Sequence, residues 1–223
     1  RAYRCLKPNQ IMQDISQSLA ESLVNIKAVS FSMDHPYTWT SGIKAPLYCD
    51  NRLTMGYPEI RAQIADTFAE MARAFGQVDL VVGTATAGIP HAAWLADRLS
   101  LPMAYVRTSA KEHGKNNQIE GVFQKGQKAI VVEDLISTGG SVLQCITALR
   151  EVGVEVLAVF AVFSYQLPVA EEKFDSLEIP VYALTDLDAL LDYADLMGTL
   201  RYSEEQEVRD WQNDPFNWTP SGL

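Results

Sequence analysis

The 223 residues carry 18 Lys and Arg against 28 Asp and Glu, a formal net charge of −10 at pH 7, with 48% hydrophobic and 21% charged residues. That composition suits one globular α/β domain with a substantial core and excludes intrinsic disorder. Such an acidic chain repels a nucleic-acid backbone, and no Lys/Arg block is dense enough to overcome the repulsion. No run approaches the roughly twenty apolar residues that span a bilayer.

The first residues lack the charged-then-apolar order of a signal peptide, and Arg1 in first place is read as a missing start. Cys5, Cys49 and Cys145 are scattered and form no C-x-x-C pair, so the expected compartment is the reducing cytoplasm.

In chain order, Ile11, Ile15, Leu19 and Leu23 recur every four residues and predict an amphipathic helix ending before Val29–Phe31. Ile60, Ile64, Phe68, Met71 and Phe75 predict a second helix, stopped by Gly76. Apolar runs at Leu80–Val82, Met103–Val106, Ala129–Val132, Val156–Phe163 and Val181–Leu184 read as five strands separated by crossover-length segments. This alternation argues a mostly parallel sheet covered by helices.

A hairpin is expected around Gly121 to Lys128. Thr185 and Asp188 are expected to cap a helix through Leu187, Leu190, Leu191 and Met197. A polar helix around Ser203 to Trp211 and an aperiodic tail close the chain. The whole reads as one domain, with residues 1–57 as N-terminal helix and hood, 58–200 as core and 201–223 as C-terminal helix and tail.

The most informative segment is Ala129 to Ser141, AIVVEDLISTGGS, in which a buried-strand run leads to two acids and then to hydroxyls and glycines. Val142, Cys145, Ile146 and Leu149 follow at helical spacing, so the chemistry sits at a strand-to-helix turn. Backbone N–H groups over Ser137, Thr138, Gly139, Gly140 and Ser141 would face an anion at a helix N-terminus. Glu133 and Asp134, read as ending the strand, would accept from the vicinal hydroxyls of a sugar. One ligand, a ribose phosphate, uses both halves.

This segment resembles the binding signature of the type I phosphoribosyltransferases, which hold phosphoribosyl pyrophosphate (PRPP). The resemblance implies a five-stranded, mostly parallel sheet flanked by helices, with a small N-terminal hood. It also implies that Gly83 to Pro90 meets the pyrophosphate through Thr84 and Thr86. Taken alone, that small-residue turn is equally explained by tight helix-to-strand packing.

The polar stretch Val106 to Asn117 reads either as a solvated loop or as a cationic lid closing on a polyanion. Its R-x-x-x-K-x-H-G arrangement, Arg107, Lys111, His113 and Gly114, resembles the catalytic loop of the orotate phosphoribosyltransferase family. The block Tyr37 to Arg52 is similar to that family's base-binding S-G-x-K-x-P-x-Y core.

The resemblance covers about Ser30 to Tyr193 and implies transfer from PRPP to orotate, giving orotidine 5′-monophosphate and pyrophosphate, in pyrimidine biosynthesis. Arg107, Lys111, His113 and Asp134 would be catalytic, with PRPP on the two turns and the lid. Lys44, Tyr48, Cys49, Arg52 and Ser137 would bind orotate, Tyr48 and Cys49 through their amides. Mg²⁺ would be held mainly by PRPP and water, and a homodimer would supply the lid in trans. Such lids often carry Lys right after the Arg, where Thr108 stands, and some family members carry Lys at the positions of Thr40 and Ala87 and Arg in the Ser164 to Pro168 loop. Lys44 and Arg52 are expected to take over substrate recognition. The rivals are a phosphoribosyltransferase for another base and a PRPP- or nucleotide-sensing regulator without catalysis.

Overall fold

The computed structural model describes residues 10–108 and 118–220. A helix, α1 (Gln10–Asn25), precedes four short strands, β1 (Val29–Phe31), β2 (Tyr37–Thr38), β3 (Lys44–Ala45) and β4 (Leu47–Cys49), and a 3-10 helix (Asn51–Gly56). These strands form two small antiparallel pairs, β1 with β4 and β2 with β3, which make the hood.

The core then runs α2 (Pro58–Arg73), β5 (Leu80–Thr84), α3 (Gly88–Leu99), β6 (Met103–Val106), β7 (Ile119–Gly121), β8 (Lys128–Ile136), α4 (Gly140–Glu151), β9 (Glu155–Ser164), α5 (Pro168–Asp175), β10 (Val181–Asp186) and α6 (Leu187–Leu196). A last helix, α7 (Tyr202–Asn213), packs beneath the hood.

One sheet of order β10-β9-β8-β5-β6-β7 carries the core. All five strands read from the sequence are present and parallel, and β7 adds a sixth, antiparallel to β6 through Ala104↔Gly121 and Val106↔Ile119. The expected hairpin at Gly121 to Lys128 is therefore corrected. The hairpin is β6–β7, and residues 107–118 join its arms.

Alternation sorts the sheet's side chains. Leu80, Val82, Ala129 and Val131 pack with Val142, Ile146, Leu149 and Phe174 on one face. Val81, Ile130, Val132 and Phe160 pack with Ile64, Phe68 and Leu95 on the other. Cys145, 1% exposed, is core filling as its spacing predicts.

Two local readings change. The N-cap of α6 is Asp186, which accepts from the Ala189 N–H at 3.0 Å, while the buried Thr185 hydroxyl donates to the Ser16 carbonyl at 2.9 Å. The short helix α5, opened by Pro168 at its first turn, has no counterpart in the sequence reading.

Under the hood, Trp211 of α7 is fully buried and donates its indole N–H to the Lys44 carbonyl at 2.9 Å. It meets Trp39 and Tyr165 edge-on, with centroids 5.4 and 5.7 Å away. Trp211→Ala is expected to lower stability by about 3–5 kcal/mol, measured by urea denaturation, because it opens a cavity and orphans that carbonyl.

Candidate active site

The chain runs from β5 outward to β6 on one side and from β8 outward to β9 and β10 on the other. The switch point therefore lies between β5 and β8. Their pairing ends at Gly83↔Val132, yet β8 continues against β9 as far as Ile136↔Ser164. Glu133 and Asp134 thus lie inside β8, not at its end, in the stretch where β5 no longer runs alongside. A cleft of about 600 Å³ opens there, lined by both acids, by Thr86, Ser137 and Ser141, and by Tyr48, Cys49, Asn51 and Arg52 of the hood.

Glu133 is only 5% exposed, and its Oε1 accepts the Asp134 N–H at 3.0 Å. Burial, then the neighbouring Asp134 charge, pushes its carboxyl well above the ordinary carboxylate range. Burial also raises Asp134, which is half-buried. Two coupled carboxylates in one low-dielectric place are a strained electrostatic arrangement. Hydroxyl donors or a cation would relieve it.

The turn after β8 is shaped for an anion. Gly139, at φ +74°, is the N-cap of α4, and among the described residues no side chain caps the first-turn N–H groups. A Cβ on Gly139 would come 2.9 Å from Phe174 Cζ, so glycine is required by space as well as by backbone sign. Lys173 Nζ donates to the Thr138 carbonyl at 2.7 Å and fixes the turn from behind. Ser137 and Ser141 line the cleft, with Thr138, Gly139 and Gly140 between them.

In the turn after β5, Thr86 lines the cleft but Thr84 does not. The Thr84 hydroxyl, 2% exposed, donates inward to the Val132 carbonyl at 3.2 Å, which corrects its reading as a ligand donor. At Gly88 a Cβ would lie 2.5 Å from both Thr84 Oγ1 and the Val132 carbonyl. Close packing of α3 on β8 thus explains part of this glycine-rich turn.

The hood changes more of the expectations. Lys44 sits on the outward side of β3, exposed, while Ala45 turns inward, so Lys44 is not among the residues lining the cleft. Cys49 lines the cleft, but its N–H donates to the Tyr165 hydroxyl at 2.9 Å. Bonds from Asp50 N–H to Ala28 and from Ser32 N–H to Pro46 flank the Ser30↔Tyr48 pair, so ladder alternation engages the Tyr48 amide as well. Neither amide is open to a ring edge. Tyr48 contributes its exposed ring instead, 5.7 Å from Tyr37.

Arg52 is the one cation among the described residues that line the cleft. Its fork closes on Asp50, with Nε to Oδ1 at 2.6 Å and Nη2 to Oδ2 at 2.9 Å. That bonding holds Asp50 below the usual carboxylate range.

Arg107 flanks a small depression shared with Thr84, Ala85 and Ser141, with Nη1 3.7 Å from Glu120 Oε1. Lys111 and His113, with Gly114, lie outside the described residues. Among the described residues no three His, Cys, Asp or Glu gather as a metal site. A hard cation here would have the two acids at hand and draw its other oxygen ligands from substrate and water.

Asn51 and Tyr165 entered no role in the sequence reading. Asn51 is a buried polar residue between two charged ones, and nothing in its spacing marks it. Tyr165 stands in the loop where an Arg was sought.

Residues 56–179 match the family profile described as Phosphoribosyl transferase domain. Fold and site together define a type I phosphoribosyltransferase domain.

The chain is 49% identical over 202 residues to an orotate phosphoribosyltransferase of Halalkalibacterium halodurans, covering 90% of this chain and 96% of the relative. It is 53% identical over 203 residues to that of Fusobacterium nucleatum, with the same coverage. A crystal structure of orotate phosphoribosyltransferase from Aeropyrum pernix superposes with a TM-score of 0.70 at 29% identity, over 82% of this chain and 99% of that one. Leishmania donovani UMP synthase gives 0.75 at 27% identity, over 88% of this chain and 42% of that one. The chain belongs to the orotate phosphoribosyltransferase family.

The buried acid has a consequence for stability. An unfolded Glu133 ionises near its ordinary 4.5, whereas the native carboxyl holds its proton to higher pH, so the native state loses stability as pH rises through that interval. Above the native pKa the penalty is complete. Glu133→Gln is therefore expected to raise the melting temperature of the ligand-free protein at neutral pH and to flatten its pH dependence, measured by thermal denaturation across the acidic-to-neutral range.

Proposed function

We propose that the protein transfers the 5-phosphoribosyl group of PRPP to orotate, releasing pyrophosphate and forming orotidine 5′-monophosphate, a step of UMP biosynthesis. The observation that carries this reading is the buried Glu133–Asp134 pair beside the uncapped α4 N-terminus, in a chain about half identical to orotate phosphoribosyltransferases along nearly its whole length.

The 5-phosphate would take the N–H groups and hydroxyls of Ser137, Thr138, Gly139, Gly140 and Ser141. Glu133 and Asp134 would accept from the ribose hydroxyls and stabilise the positive charge that grows on the sugar as pyrophosphate leaves. Thr86 would meet the pyrophosphate from the β5–α3 turn, and Arg107 would neutralise it from the rim. Orotate would stand between Tyr48 and Arg52, its carboxylate drawn to the guanidinium in exchange for part of the Asp50 pairing.

Mg²⁺, when bound, would offset the charge of the pyrophosphate. Lys111 and His113 are assigned to leaving-group neutralisation and protonation, supplied by the second subunit of a homodimer. The proposed setting is the cytoplasm. Among the described residues, no helix is long and apolar enough to cross a membrane.

The test is Mg²⁺- and PRPP-dependent loss of orotate absorbance, run beside adenine, hypoxanthine and uracil with pyrophosphate release as the common readout. Turnover confined to orotate is expected. Release with another base would replace the substrate, and PRPP binding without release would make the protein a sensor. Within the same assay, Arg52→Ala is expected to raise the orotate KM about tenfold or more, with the PRPP KM little changed.

A further inference from the structure

On the transfer reading, base recognition and ribose recognition belong to different parts of the fold, which pack together through Leu47, Cys49, Phe163 and Tyr165 and are joined at β8 by polar side chains. Among the described residues no strand lies beside β8 after Val132 on the β5 side, and the hood reaches it there through side chains. Asn51, 1% exposed, is the direct strut. Its Nδ2 donates to the Asp134 carbonyl at 2.7 Å, and its Oδ1 accepts from the Cys49 thiol at 3.2 Å.

The Thr54 hydroxyl donates to the Asn51 carbonyl at 2.6 Å and holds the 3-10 turn around it. A second, indirect strut runs from the Cys49 N–H to the Tyr165 hydroxyl at 2.9 Å, and from the Tyr165 N–H to the Ile136 carbonyl at 3.0 Å.

We propose that Asn51 is a positioning residue that sets the base-recognition segment against the ribose acids, so that pyrophosphate departure is coupled to capture by the base and not by water. The inference rests on the transfer reading above. Its carboxamide spans from the segment bearing Tyr48 and Arg52 to the backbone of Asp134 itself, so a shift there moves the two substrates relative to each other. In-line displacement at the anomeric carbon is sensitive to such a shift, because an error of about 1 Å can cost on the order of a hundredfold in rate.

With the base displaced, the bond from the anomeric carbon to pyrophosphate still breaks, and a water oxygen forms the new bond and gives its proton to solvent. The products are then ribose 5-phosphate and pyrophosphate. This outcome separates positioning from simple loss of structure.

The experiment uses the whole chain as Asn51→Leu, nearly isosteric without a donor, and Asn51→Ser, too short to reach β8. Orotidine 5′-monophosphate and pyrophosphate are quantified in the same samples, with PRPP affinity by calorimetry and the melting transition alongside. Wild type should give one pyrophosphate per nucleotide. At least one variant should form nucleotide about 10- to 100-fold more slowly, bind PRPP within about threefold of wild type, and release at least about two pyrophosphates per nucleotide.

A ratio held at one in both variants would overturn the proposal, and so would loss of PRPP binding together with the melting transition in both. Wild type that releases no pyrophosphate with orotate would refute the transfer reading instead, so the two failures are distinct.

Discussion

Two carboxylates held side by side in a buried strand are the constraint on which the rest of this molecule depends. Glu133 and Asp134 occupy the stretch of β8 that outlives its pairing with β5, and burial pushes both toward the protonated form. A fold selected for stability alone would place apolar residues there. The cost is tolerated where a ligand brings hydroxyl donors and a developing positive charge, which is what a phosphoribosyl donor brings. The uncapped α4 N-terminus follows a few residues later, and Ser137 and Ser141 line the same cleft as the acids.

Around that pair the described residues supply few cations. Among the described residues the cleft offers Arg52 alone, and Asp50 already holds its fork. Binding an anionic base beside polyanionic PRPP in such a place calls for charge from elsewhere, which is why a magnesium ion and a cationic lid fit the proposed chemistry. The hood itself is carried by aromatic packing. Trp211, Trp39 and Tyr165 lock α7, the β2–β3 pair and the end of β9 together, and Tyr165 then anchors the Cys49 amide. A C-terminal helix far along the sequence thus helps set the hood wall of the cleft.

The sheet was legible because its strands are buried on both faces and read as continuous apolar runs. Ala129 to Val132 announced β8, and the ED-x-x-STGG continuation announced the turn. The strand's true end was hidden, since the acids that look like a terminus continue the ladder with β9. β7 escaped because Ile119–Gly121 is too short for any period, and its partner lies before residues 107–118 and not after. In the hood, composition identified the right block but not the use of each group. Lys44 points outward through strand alternation, and the Tyr48 and Cys49 amides are spent on Ser30 and Tyr165. Asn51 could not be found from spacing, because its role exists only once β4 is folded over β8.

The most direct measurement of the central claim is the proton balance of PRPP binding. Calorimetry of Mg²⁺ and PRPP in buffers of different ionisation enthalpy, near neutral pH, reports protons released or taken up. If ribose hydroxyls and cationic charge relieve the buried acids, both carboxyls fall in pKa and binding releases protons, a release reduced in Glu133→Gln. Equal proton balance in wild type and Glu133→Gln, or net uptake by wild type, would contradict the assignment of this pair to the ribose.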